Sequence, residues 1–146
     1  MIFPFWTFPA PPAAAFPNRA FIKRPILHVT LQRGTRSVNA LAIVDSGADE
    51  CVFPASLGTA LGVPIPNPNV YVFSGTTDQP QNAYFDNIHV HVWKHVTPGE
   101  IAFSFDLYAG FCDTLEHVGL GLLGQNGFFS RYKVTIDHTN HILEVV

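Results

Sequence analysis

Leu41–Phe53 reads LAIVDSGADECVF, and its change of character halfway along governs the reading of the whole chain. Leu41 to Val44 are apolar without alternation, the pattern of a short strand buried on both faces. That strand runs straight into Asp45-Ser46-Gly47-Ala48. Asp, Ser and Gly are the ordinary materials of turns, so the triplet alone is only a turn signal. Its position is less ordinary. It brings a carboxylate to the end of a buried strand, where acid–base chemistry is open to it.

Working outward, Ile26–Gln32 (ILHVTLQ) alternates, with Leu27, Val29 and Leu31 on one face and His28, Thr30 and Gln32 on the other. This is a half-buried strand, joined through the polar turn RGTRS to the apolar one. Downstream, PASLGTALG opens on Pro54 and closes on Gly62, which suits one or two turns of helix. Further strands are predicted at VYVF, NIHVHVW, EIAFSFDLY, KVTID and HILEVV. The pattern predicts an all-β fold: a small, strongly curved domain over residues 21–146 with two short helices. Residues 1–20 form a Pro/Phe-rich N-terminal arm. Pro4, Pro9, Pro11, Pro12 and Pro17 forbid a continuous helix there, and no basic segment precedes the apolar stretch as in a signal peptide. The expectation is an extended, polyproline-like arm whose Phe3, Phe5, Trp6, Phe8 and Phe16 pack on something.

Composition narrows the function classes. Of 146 residues 47% are hydrophobic and only 13% charged, against about 25% charged in ordinary domains, which excludes disorder for most of the chain. The net charge of -3 supplies no basic footprint for nucleic acid or an anionic membrane. Cys51 and Cys112 are too few for a disulfide scaffold and read as buried thiols in a reducing, cytoplasmic setting. GLGLLG (Gly119, Gly121, Gly124) satisfies a dinucleotide-binding pattern, but the long helix and further parallel strands that such a site needs cannot follow. Ser130 and Lys133 form an S-x-x-K pair in a chain too short for the enzymes that use it. His89 and His91 alternate on one strand with His95 close behind. They could seed a zinc or copper site, but without supporting acidic or cysteine ligands they read as a solvated polar face, and no metal is expected.

VDSGADECVFPASLGTALGV (residues 44–63) closely resembles the active-site segment of the retropepsin-like aspartic proteases, single-domain relatives of the retroviral proteases. The likeness continues in GLLGQNGFFSRYKVTID (residues 121–137), where Leu122-Leu123-Gly124 is similar to the family's second motif of two apolar residues and a Gly. The resemblance runs from Pro25 to Val146 and implies a catalytic loop, a short helix, a flap hairpin, a second short helix around Gly127–Arg131 and a terminal strand.

What the resemblance implies is specific. Asp45 corresponds to the catalytic aspartate, Ser46 to the hydroxyl bonding across the dimer axis, and Gly47 to the tight backbone whose carbonyl accepts from substrate. Ala48, Asp49 and Val52 correspond to substrate-binding positions, as do Leu120 and Leu122, and the flap tip falls at Ser74, Gly75 and Thr76. Gln125 stands where viral members carry an arginine paired to the acid at the Asp49 position. Because the chain holds a single D-[ST]-G, an enzyme of this type must be a symmetric homodimer, with the apolar HILEVV strand pairing at its edge with its mate. Its partners would be a second copy and a peptide or protein substrate, with no cofactor. A non-catalytic dimerisation or peptide-binding module on the same fold is the alternative. The Phe3-Pro4, Phe8-Pro9 and Phe16-Pro17 bonds are of a type viral members cleave, so the arm either occupies the cleft, is trimmed, or packs permanently on the domain.

Overall fold

The computed structural model describes residues 1–73, 79–94 and 99–146. In chain order the strands are β1 (Ile2–Pro4), β2 (Trp6–Pro9), β3 (Phe21–Arg24), β4 (Ile26–Arg33), β5 (Arg36–Val44) and β6 (Val52–Pro54). Helix α1 (Ala55–Ala60) follows, then β7 (Val70–Phe73), β8 (Gln81–Trp93), β9 (Ile101–Cys112), β10 (Gly121–Leu123), β11 (Val134–Asp137) and β12 (Ile142–Val145). The chain is mostly β.

Six strands close on themselves in the order β4-β5-β10-β6-β9-β8, with β8 returning to β4 through Val29↔Val92 to Gln32↔His89. The length of β8 makes this possible. Its C-terminal half lies between β4 and β9, while its N-terminal end exchanges β4 for β7, from Val70↔Tyr84 to Phe73↔Gln81. The alternation foreseen in β4 is present: Leu27, Val29 and Leu31 are buried in the barrel with Val90, Val92, Phe105 and Leu107. The outward side chains bond one another. Trp93 Nε1 donates to Thr30 Oγ1 at 2.8 Å, His89 Nδ1 meets Asp106 Oδ1 at 2.7 Å, and His91 lies between Ser104 Oγ and Gln32 Oε1, 2.8 Å from each. Partial burial, and then the neighbouring His89, holds His91 below the ordinary imidazole range. His95 lies outside the described residues, and among those described no group of three or more His, Cys, Asp or Glu is placed to hold a metal ion.

Three expectations are corrected. The arm is not a polyproline-like extension: β1 pairs with β12 (Phe3↔Leu143) and β2 with β3 (Phe8↔Ile22). Phe3 and Phe5, at 4% and 8% exposure, belong to the main core. Burying two aromatic rings draws the backbone into register with the sheet. As a result β12 is flanked by β1 on one side and β11 on the other, so the terminal strand has no free edge. Gly127–Arg131 is a run of turns and not a helix. Gly127 has φ +104°, and the bonds span unequal steps, Ser130 N to Gln125 O and Tyr132 N to Phe128 O. Fully buried Phe128, packed on Phe105 and Tyr132, anchors the segment instead. A short 3-10 turn forms at Asp113–Leu115. Among the described residues no helix is long and apolar enough to cross a membrane.

Candidate active site

Strand β10 lies between β5 and β6, parallel to the first (Gly121↔Ala42 to Leu123↔Val44) and antiparallel to the second (Leu122↔Val52). The loop 45–51 leaves β5 and returns as β6, so it must arch over the end of β10. It is fastened there by backbone bonds: Asp45 N to Leu123 O at 3.1 Å, Gln125 N to Ala48 O at 2.8 Å and Asn126 N to Asp49 O at 2.8 Å. The approach is close enough to demand glycine at 124. A Cβ on Gly124 would stand 2.3 Å from the Glu50 carbonyl oxygen and 2.6 Å from that of Ala48. The two motifs are thus one structural unit.

Beneath the arch, the buried Cys51 Sγ accepts the Gly124 N–H at 3.2 Å. Burial pushes its thiol up to about 11, against the lowering effect of the Gly124 backbone bond. Cys51 is therefore a packing and bonding group, not a nucleophile. Gln125 also acts on the arch, its Nε2 donating to the Ser46 carbonyl at 2.8 Å. None of the ion pairs among the described residues involves Asp49.

Asp45 is half-buried at the end of β5, and its Oδ1 accepts the Gly47 N–H at 2.9 Å. It opens on a cavity of about 360 Å³ lined by Asp45, Gly47, Ala48, Asp49, Glu50, Val52, Tyr71, Phe73, Phe85 and Leu122. Six residues singled out in the sequence meet here: Asp45, Gly47, Ala48, Asp49, Val52 and Leu122. Ser46 is exposed on the arch and does not line the cavity, and Leu120 lines a separate depression with Phe8, Pro9, Ile22 and Arg24. The expected flap tip, Ser74, Gly75 and Thr76, lies outside the described residues; the strands leading to it, β7 and β8, form an antiparallel pair that contributes Tyr71, Phe73 and Phe85 to the cavity lining. No arm residue lines this space.

Sequence reasoning missed Glu50; it read Phe73 with the flap tip and Tyr71 and Phe85 in the flanking strands VYV and QNAYF, but gave none of them a place in the cavity wall. Glu50 was legible as the third carboxylate of DSGADE. The aromatics could have been found by pairing VYVF against QNAYF, since alternate residues of a paired strand face one side. Compared with known proteins, the chain matches no family model and no curated protein sequence. What the molecule itself defines is an all-β chain with a closed six-stranded barrel and an acidic, aromatic-walled cleft at one end.

Proposed function

We propose that this protein is an aspartic-type endopeptidase of the retropepsin-like kind, working as a symmetric homodimer in which each chain contributes Asp45. The observation that supports this most is the interlock of the two motifs. Asp45-Ser46-Gly47 and Leu122-Leu123-Gly124, 75 residues or more apart in sequence, are bonded into one arch that holds a half-buried carboxylate at the floor of a cleft. An ordinary turn needs no such bracing.

One chain supplies one such carboxylate, so the chemistry needs two chains. Two carboxylates brought together on a two-fold axis cannot both ionise readily and share one proton. The ionised member takes a proton from water as it attacks the peptide carbonyl, and the protonated member gives its proton to the carbonyl oxygen. Collapse of the tetrahedral intermediate then transfers a proton to the departing amine. The substrate lies extended, its backbone bonding to the loop and hairpin as an added strand does. Hydrolysis of a peptide library, lost in Asp45→Asn and blocked by a statine-type transition-state mimic, tests the proposal. Peptide binding without hydrolysis by a correctly folded dimer would instead identify a non-catalytic peptide-binding module.

A further inference from the structure

We propose that Glu50 is a specificity-determining residue and that the cleft selects extended peptides carrying a lysine or arginine side chain. This rests on the peptide cleft proposed above and goes beyond it in naming the substrate's chemistry. Glu50 lines the Asp45 cavity and also a second space of about 260 Å³ beside it, walled by Asn69, Val70, Tyr71, Phe85 and Tyr108. Tyr71 and Phe85 are likewise shared. Glu50 therefore lies where the two spaces adjoin, beside the aromatic residues they share. The Phe85 and Tyr108 rings lie 5.2 Å apart and those of Tyr71 and Phe85 6.4 Å, edge to face.

Three further features fit a cation. The first is that among the described residues no lysine or arginine lines either space, whereas Asp45, Asp49 and Glu50 all line the first. Glu50 is also held in place: its Oε1 accepts from Asn126 Nδ2 at 2.8 Å, and Asn126 is itself bonded through its backbone to Asp49. Lastly, no ion pair among the described residues uses Glu50. An entering ammonium or guanidinium would gain a charge-assisted bond to a pre-positioned carboxylate and stack on the ring faces. An apolar side chain there would strip water from the Glu50 carboxylate without replacing its bonds. The same asymmetry discriminates between the two.

The test uses the full chain bearing Asp45→Asn, which cannot turn over, and fluorescent peptides in which lysine or its uncharged isostere norleucine is scanned through successive positions. At one position lysine should bind about tenfold tighter than norleucine, as expected for a hydrogen bond to a charged group, and the ratio should shrink with added salt. Adding Glu50→Gln, which keeps the oxygen that bonds Asn126, should reduce the ratio to about one while the urea midpoint is unchanged. Adding Asp49→Asn instead should leave most of the preference. A preference that survives Glu50→Gln, or that falls equally in Asp49→Asn, overturns the assignment, as does failure to bind any peptide. Glu50-dependent lysine preference in a protein whose wild type hydrolyses nothing would sink the peptidase reading and leave this one standing. Hydrolysis with no basic preference would do the reverse.

Discussion

Gly124→Ala probes the interlock on which the site depends. The added carbon would lie 2.3 Å from the Glu50 carbonyl oxygen and 2.6 Å from that of Ala48, and both are backbone atoms that no rotamer change can move aside. Ordinary heavy-atom contacts sit at about 3.5 Å, so the arch must lift by about 1 Å. That stretches the Gln125–Ala48 and Asn126–Asp49 bonds, both 2.8 Å, beyond hydrogen-bonding range. Two lost bonds at about 1 kcal/mol each, with about 1–3 kcal/mol of overpacking strain, give about 3–5 kcal/mol, a large part of a typical domain's stability. Urea unfolding followed by tryptophan fluorescence measures it. Gly119→Ala is the control: among the described residues nothing lies within 4 Å of its Cβ, and its φ of +69° opposes substitution at about 1 kcal/mol. If Gly124→Ala destabilises no more than Gly119→Ala, the arch is not clamped as described.

Association should control turnover: specific activity should rise with protein concentration and level off above the dimer dissociation constant, and excess Asp45→Asn should poison the wild type. Activity that stays flat at dilutions where sedimentation shows only monomer contradicts the shared carboxylate pair. Phe3→Ala should cost about 3 kcal/mol by emptying a core position, whereas Phe16→Ala, at a residue 51% exposed, should stay within about 0.5 kcal/mol of wild type. Equal effects would place the arm outside the core. Cys51 gives a pH signature. Its thiol is raised from 9.0 to about 11, so its stabilising effect is complete below pH 9 and is lost as the pH rises to about 11, because the unfolded thiol ionises first. About 2 kcal/mol of it is gone by pH 10.5, read as the change in the difference between wild type and Cys51→Ala in urea unfolding from pH 8 to pH 10.5. A difference that does not change with pH refutes it.

Periodicity alone determined the strands in which side-chain alternation and burial coincide. β4, the C-terminal half of β8, and β12 lie where their patterns put them, and α1 lies between Pro54 and Gly62, because a period-two or helix-bounding signal is local to the residues that carry it. The short strands were not legible. β6 and β10 have three residues each, too few for a period, and exist because each fills a gap between longer strands. The arm misled for a related reason: its prolines argue locally against regular structure, while Phe3 and Phe5 gain more by entering a core assembled from residues far along the chain. At the site, the sequence was enough to single out Asp45, Gly47, Ala48, Asp49, Val52 and Leu122, since these belong to two motifs with recognisable local form. Glu50 became a cleft residue only when β7, β8 and β9 carried Tyr71, Phe85 and Tyr108 alongside it. Gln125 acquired its contact to Ser46 only when β10 was threaded between β5 and β6. A local pattern reports the backbone's own preferences; which side chains share a space is decided by strand order and register, and those are set by the burial of the whole core.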